Sequence, residues 1–264
     1  MAPTTLKEAV LQNKMVSAGK NLLGFSSVAS TTPIELIWIL NRVEGLLSEV
    51  KQLPSKSMKD ALQPSMEALV SDRLLKHSDF DVRVSVASCM SELIRITAPD
   101  APYDDNVQMK DILHLIVMAL GLLSSEDAHR YLKGYRILGN MTNARAGVLM
   151  VDLGYFVNEM FRLFLSTTRY PRCNVIFRQM EAIMTRTLQE SDEISDELLS
   201  ILLTSVNIKR MHVSSRPWML GGKVLINCTY RLRHFLPKFV RSENLSVDNY
   251  SPIVAHICLK ASED

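Results

Sequence analysis

The 264-residue chain has little of what tight turns and β-sheets require. It contains 10 glycines and 10 prolines, and aromatic residues make up 6% of the sequence. No stretch alternates polar and apolar residues in the way that a half-buried strand needs. Apolar residues are plentiful, at 47% of the chain. The composition therefore predicts an all-α protein, and the length permits a substantial buried core.

Cysteines are also few, and the four of them, Cys89, Cys173, Cys228 and Cys258, are widely separated. Because no CxxC pair occurs, we expect free and mostly buried thiols. The amino terminus lacks the basic start and continuous apolar core of a secretory signal, which predicts an intracellular protein. The longest apolar run, residues 112–123, is too short to cross a bilayer, so no membrane span is expected.

Catalytic and cofactor-binding motifs are absent as well. The chain contains no GxGxxG, GxxxxGK[ST], GxSxG or HExxH sequence. His256 and Cys258 could supply two metal ligands, but nothing at a matching spacing completes a tetrahedral set. Two carboxylate pairs, residues 104–105 and 192–193, stand at predicted helix starts, where capping explains them. We therefore expect no enzyme, no cofactor and no metal site.

The most informative stretch that is present, residues 69–103, is typical of two helices packed across a short turn. In the second helix, apolar residues recur at spacings of three and four, which gives one stripe: Val82, Val86, Cys89, Met90, Leu93 and Ile96. Val84, Ala87 and Ile94 form a second, offset stripe. A helix that is apolar on two sides belongs inside a stack of helices. The arc left for solvent would then consist of Arg83, Ser88, Glu92 and Arg95.

The first helix of this pair is predicted to begin at Pro64, where the missing N–H costs nothing. A polar turn, residues 77–81, connects it to the second helix. Either aspartate of this turn can cap that helix, and the negative charge complements its dipole. The residues predicted to define the repeat geometry, rather than to bind a ligand, are Asp79, Asp81, Val82 and Arg83.

Other helix boundaries are marked by glycine, proline and capping residues. The first helix, residues 4–20, is expected to end at Gly19 and Gly24. Pro237 should kink or end one helix, and Pro252 should begin the last one. Capping residues are predicted at three further helix starts: Thr32, Asp105 and Ser195.

The sequence Asp81-Val82-Arg83 resembles the opening of the second helix of a HEAT repeat. The longer run LLKHSDFDVRVSVASCMSELIRITAPDAPYDD resembles the amino-terminal region of the precocious-dissociation-of-sisters family, the HEAT-repeat cofactors of cohesin, in a plant-type form. The match is specific at residues 64–116 and traceable through residues 160–204. The resemblance implies a HEAT- or armadillo-like α-solenoid of antiparallel helix pairs.

No low-complexity linker divides the chain, so we expect a single array over residues 1–264. Residues 1–52 would form the amino-terminal helices and residues 53–123 the best-matching HEAT pairs. Residues 124–264 would form diverged helical repeats. Family members are several times longer. Two interpretations of this chain therefore stay open: an amino-terminal piece of such a protein, or a diverged short copy.

The carboxyl-terminal third is locally basic, since no Asp or Glu occurs between Leu198 and Ser242. Such a window can be a solvated face, or a surface for an acidic peptide or a phosphate backbone. Direct nucleic acid binding has weaker support, because Tyr230 and Phe235 look like core residues rather than stacking platforms. The candidate partner surface consists of Lys209, Arg210, Arg216, Lys223, Arg231, Arg233, Lys238 and Arg241.

The resemblance implies a non-catalytic nuclear protein that contacts cohesin subunits. It would act in the maintenance and release of sister chromatid cohesion, with a link to DNA repair. The alternative is a general α-solenoid adaptor that binds an extended acidic peptide and is unrelated to cohesin. For stability, we expect Val86→Asp to cost several kcal/mol. Arg95→Ala, on the predicted solvent arc, should cost about 0.5 kcal/mol or less.

Overall fold

The computed structural model describes residues 6–27, 32–144, 147–152, 156–167, 174–211 and 215–260. Helices dominate these ranges, and within them the only extended pairing is an isolated bridge between Asn207 and Tyr250. The all-α prediction is confirmed. The chain divides into two compact units, Met1–Ala144 and Arg145–Asp264. The single array expected from the sequence stays a prediction.

Within its described residues, the first unit contains seven α-helices and a short 3-10 turn, Gly121–Ser124. Helices α2, α5 and α7 are neighbours, α1 packs on α2 and α3, and α6 packs on α5 and α7. The bounds are α1 Leu6–Ser27, α2 Pro33–Glu49, α3 Lys56–Leu69, α4 Asp72–Leu75, α5 Phe80–Thr97, α6 Asn106–Leu120 and α7 Ala128–Asn143.

Helix α5 is the centre of this unit and contacts α2, α3, α4, α6 and α7. Both predicted apolar stripes are buried, which confirms that this helix lies within a stack. The predicted solvent arc is wrong. Ser88 and Glu92 are buried, and the Arg95 side chain is only 18% exposed. The reason is that α2 and α7 cover α5 on the side that carries these polar groups.

The first helix does not end at its glycines, because α1 continues through both to Ser27. Gly19 instead permits a close helix crossing. A Cβ atom at this position would lie 2.7 Å from the backbone nitrogen of Ser65 and 2.9 Å from Cβ of Pro64. The predicted helix start at Pro64 is also wrong, since α3 begins at Lys56 and contains Pro64. Packing against α1 has overridden the local preference of proline.

The predicted capping residues are confirmed. Thr32 and Glu35 form a complete capping box at the start of α2. Asp105 accepts hydrogen bonds from the backbone N–H groups of Val107 and Gln108. Ser195 accepts one from the backbone of Leu198. Each cap satisfies backbone donors that have no partner inside the helix.

The second unit contains nine α-helices within the described ranges, together with a 3-10 turn at Val247–Asn249. Helix α13 contacts α9, α10, α11 and α16. Pro252 begins α16, as predicted. Pro237 does not kink or end a helix, as the sequence predicted, but lies in the first turn of α15, after α14 has ended at Leu232. The bounds are α8 Gly147–Asp152, α9 Val157–Thr167, α10 Asn174–Glu190, α11 Asp196–Ser205, α12 Ile208–Met211, α13 Ser215–Asn227, α14 Thr229–Leu232, α15 Leu236–Ser242 and α16 Pro252–Lys260.

One segment, Asn106–Ser124, is long and apolar enough to cross a membrane by length and composition. In the first unit it forms α6 and the following turn. Its most apolar window is 56% buried there, by packing against α5 and α7. A core helix of a globular unit meets the same criterion, so this segment is weak evidence for a membrane span.

Candidate functional site

The four residues predicted to define the repeat geometry lie at the amino-terminal end of α5. Asp79 is the N-cap and accepts a hydrogen bond of 3.0 Å from the Val82 backbone. The Val82 side chain is fully buried. Arg83 donates from Nη1 to the backbone carbonyl of His77 in the preceding turn, at 3.0 Å. Asp81 pairs instead with Arg130 of α7, at 2.9 and 3.1 Å. All four therefore hold the turn and the neighbouring helix in place.

The loop after α5 is fastened to the helices before it. Gln52 donates from Nε2 to the carbonyl oxygen of Ala98 at 2.8 Å. The Tyr103 hydroxyl donates to the carbonyl oxygen of Met66 at 2.9 Å. Burial raises the pKa of the Tyr103 hydroxyl, so it stays protonated and able to donate. The loop that carries the family resemblance thus serves the packing of the unit.

Polar side chains on three neighbouring helices of the first unit meet in a band that we call the polar seam. It crosses from α2 over α5 to α7. Most of its members are buried or partly buried, and the residues buried around them on the same helices are mostly apolar. The seam consists of Asn41, Glu44, Ser91, Glu92, Arg95, Lys133, Arg136 and Asn140.

The most buried ion pair in the seam joins Lys133 of α7 to Glu44 of α2. Their side chains are 7% and 6% exposed, and the ammonium group also donates to Oδ1 of Asn41 at 2.7 Å. Arg136 adds a second cation at 3.4 Å from Glu44, on the exposed rim. A buried ion pair is costly to break, because removing one partner leaves an uncompensated charge. This pair therefore fixes how α2 and α7 sit on either side of α5.

Arg95 forms the other half of the seam. Its Nε donates to Glu92 at 2.7 Å, and its Nη2 donates to the carbonyl oxygens of Leu47 and Val50 at 3.0 and 2.9 Å. Both carbonyls are at the end of α2, where intrahelical donors run out, and that of Leu47 also accepts from the backbone N–H of Val50. Arg95 thus caps α2 from a neighbouring helix.

No unambiguous signal for the polar seam is present in the sequence. In the sequence, three of its members resemble ordinary polar residues on a solvent-facing side of a helix: Glu44, Lys133 and Asn140. A weak signal was available in α7, where Lys133 shares its face with the apolar Ile137 and Met141, at helical spacing. A charged residue inside an apolar stripe indicates a buried ionic partner.

The predicted basic surface lies in the second unit and is spread over several helices. Lys209 lies on α12, Arg216 and Lys223 on α13, and Arg231 on α14. Arg233 follows α14, and Lys238 and Arg241 lie on α15. Arg210 lies on α12, and its side chain is outside the described part of the structure. Lys209, Lys223, Lys238 and Arg241 are exposed, whereas Arg216, Arg231 and Arg233 are half-buried.

Several of these cations already have contacts within the unit. Arg231 donates from Nη2 to the carbonyl oxygens of Ser191 and Asp192, so it fastens the loop before α11. Lys223 lies 3.4 Å from Glu181 and 5.4 Å from the centre of the Phe177 ring. Arg241 donates from Nε to the carbonyl oxygen of Pro237. The basic window therefore mixes structural cations with exposed ones, such as Lys209 and Lys238.

The thiols are poorly suited to nucleophilic or ligand chemistry. Cys89 and Cys228 are buried, as predicted. Burial raises the pKa of Cys228 to about 12 and raises that of Cys89 further. Cys258 is half-buried with a raised pKa, and Cys173 lies outside the described residues. Among the described residues, no cluster of three potential His, Cys, Asp or Glu metal ligands occurs.

A family model described as the sister chromatid cohesion protein PDS5 protein matches residues 34–248, which is most of the chain. The chain belongs to the PDS5 family. The resemblance expected from the sequence is thereby confirmed.

Two curated relatives illustrate how far the similarity extends. Sister chromatid cohesion protein PDS5 homolog C of Arabidopsis thaliana is 41% identical over 250 residues, which cover 94% of this chain and 28% of that protein. Sister chromatid cohesion protein pds5 of Schizosaccharomyces pombe is 31% identical over 230 residues, which cover 86% of this chain and 18% of that protein. The chain thus spans less than a third of the length of these relatives.

A solved structure supports the fold. A chain in the structure of the Pds5-Scc1 complex matches with a TM-score of 0.64 and 24% identity, over 80% of this chain and 32% of that chain. The predicted HEAT-like fold of stacked helices is confirmed.

Proposed function

We propose that this chain acts as a non-catalytic, cohesin-associated scaffold in the nucleus, in the maintenance and release of sister chromatid cohesion. The observation that carries the proposal is the PDS5 family match over residues 34–248. The relatives are named for sister chromatid cohesion. A scaffold of this kind needs surfaces rather than reacting groups, and the buried, protonated thiols agree with that.

The partner proposed for this chain is a cohesin subunit. The structural neighbour comes from a complex between Pds5 and Scc1. Because this chain spans less than a third of its relatives, the experiment must test whether this portion alone makes such a contact. A role in DNA repair and a continuous helical array from residue 1 to residue 264 belong to the same proposal.

The contact proposed here is electrostatic in part and uses the basic window from Lys209 to Arg241. A region with many cations and no acids raises the local potential and accelerates the association of an acidic partner. The exposed Lys209 and Lys238 are the residues to test. Arg231 is unsuitable, since its loss would free the carbonyl groups of Ser191 and Asp192.

The test is affinity purification of the tagged chain from nuclear extract, scored for cohesin subunits. We expect the wild type to retain them and the variant Lys209→Glu/Lys238→Glu to retain fewer. Raising the salt concentration should weaken the wild type in the same direction. A matched control is Lys59→Glu, an exposed lysine of the first unit. Absence of cohesin subunits from the wild-type sample would overturn the proposal in favour of an adaptor for an unrelated acidic peptide.

A further inference from the structure

The exposed side of α13 and α14 carries three large apolar side chains in one row. Met219, Ile226 and Tyr230 are 50%, 58% and 73% exposed. Met219 and Ile226 are seven residues apart, which places them on one face of α13, and Tyr230 lies about one turn further along the chain, in α14, after the break at Cys228. The opposite face of α13 is packed, with Leu220, Val224 and others buried. We call the exposed row the apolar ridge.

Cations border the ridge on both sides. The guanidinium carbon of Arg233 lies 4.1 Å from the centre of the Tyr230 ring, so the ring is held in place from one side. The His234 ring meets the same tyrosine edge-on at 6.2 Å. Lys223, exposed at the other border, reaches Glu181 of α10. No acidic residue occurs in α13, α14 or α15.

A glycine adds a notch to the ridge. Gly222 lies inside α13, where a glycine lowers helix stability. A Cβ atom at this position would meet nothing within 4 Å, so packing inside the unit does not require the glycine. Gly221 is different, because a Cβ atom there would lie 2.1 Å from Oγ of Ser205. Gly222 thus leaves the backbone open beside Met219 and Ile226.

These observations favour a peptide over other classes of partner. Aromatic and methionine side chains are typical anchors of protein interfaces, and a preformed row of them on a helix suits apolar side chains of a partner. A phosphate backbone would gain nothing from the apolar side chains of Met219 and Ile226. The bordering cations and the lack of acids in these helices select a partner that carries negative charge.

We propose that the apolar ridge, with Lys223 and Arg233 at its borders, is a docking surface for an acidic peptide segment that carries large apolar side chains. The proposal rests on the proposed function, because it names the part of the basic window that a protein partner would contact. The peptide's apolar side chains pack along Met219, Ile226 and Tyr230. One of them enters the notch at Gly222, and its carboxylates face the bordering cations.

The first experiment selects peptides without assuming their sequence. A random peptide library is selected on the immobilised wild-type chain, and binders to the variant Ile226→Ser/Tyr230→Ser are discarded. We expect the surviving peptides to carry net negative charge and at least one large apolar residue. Survivors that are neutral or basic, or a failure to enrich any peptide dependent on the ridge, would overturn the proposal.

The second experiment measures the affinity of a surviving peptide by fluorescence anisotropy. Tyr230→Ser should weaken binding about ten-fold, as expected for an anchoring residue. Gly222→Ala should raise the melting temperature yet weaken binding, because the methyl group fills the notch. The matched control is Leu259→Ser on α16, which removes a 68% exposed side chain outside the ridge and should leave binding unchanged. Equal losses in Tyr230→Ser and Leu259→Ser would contradict a specific ridge.

Two other probes decide between partner classes. A duplex DNA and vesicles of anionic lipid are each titrated with the wild type and with Tyr230→Ser. The assignment of the ridge to a peptide would be overturned if the wild type bound DNA or vesicles more tightly than the selected peptide and Tyr230→Ser weakened that binding. A different result would separate the two proposals. If the peptide selection failed while the wild type and the ridge variant both retained cohesin subunits, the docking role of the ridge would be rejected and the proposed function would stand.

Discussion

The two units place charged and apolar side chains on opposite sides of their helices: the first buries charged side chains, and the second exposes large apolar ones. In the first unit, charged side chains on α2, α5 and α7 turn inward and pair with one another, as Lys133 does with Glu44. In the second unit, the apolar Met219, Ile226 and Tyr230 on α13 and α14 stay outside. Both units are made of packed helices, so the fold alone does not fix which face carries charge. A stack of helices can thus use buried polarity for alignment and exposed apolar groups for contact.

The largest effect should come from placing the same charge on an apolar position of each unit. Val86 is fully buried in α5, so Val86→Asp should lower the free energy of unfolding by about 5 kcal/mol. Ile226 is 58% exposed, so Ile226→Asp should change it by about 0.5 kcal/mol or less. Urea denaturation of the two variants measures both values. Similar losses would show that the apolar ridge is packed rather than exposed.

Breaking the polar seam should rank next. Lys133→Met leaves Glu44 buried with only the rim residue Arg136, at a cost of about 3 to 5 kcal/mol. The double variant Lys133→Met/Glu44→Leu removes both charges and should recover much of that loss. The double-mutant cycle is read from denaturant midpoints. The control is Lys76→Met, since Lys76 pairs with Asp72 in the solvent and should contribute little.

Arg95→Ala should be intermediate, at about 2 kcal/mol, instead of the small cost expected from the sequence. The substitution leaves Glu92 buried without its cation. It also removes a donor from two carbonyls at the end of α2, of which that of Leu47 keeps its bond from the Val50 N–H. Thermal unfolding of the variant beside Arg83→Ala, another partly exposed arginine of α5, measures the difference. A loss of stability smaller than that of Arg83→Ala would show that Arg95 faces solvent, as the sequence predicted.

The smallest effects should be equal in the two units. Asp79 caps α5 in the first unit and Ser195 caps α11 in the second, each by one hydrogen bond to the backbone. Substitution of either residue by alanine should cost about 1 kcal/mol. Denaturation curves of Asp79→Ala and Ser195→Ala test this. A markedly larger loss for Asp79→Ala would mean that the turn before α5 also depends on its side chain.

The capping signals in the sequence were reliable, because a cap depends only on residues close in the chain. Thr32, Asp105 and Ser195 cap helices because their side chains reach backbone donors a few residues away. The apolar spacing of α5 predicted burial on two sides, and the structure agrees. The predicted helix end at Gly19 was wrong, because a glycine can either end a helix or allow two helices to cross closely. Only the neighbouring helix α3 distinguishes the two.

The sequence by itself determined the helical class, the capped helix starts and the family, since these depend on spacing, short-range hydrogen bonds and residue identity. Tertiary structure decided which polar residues are buried. Glu92 and Arg95 have the spacing of a solvent-facing arc, and they are covered because α2 and α7 pack beside α5. The partners of Lys133 are about ninety positions away in the chain. Helical periodicity reports the face of a single helix, and it carries no information about which helix will lie against that face.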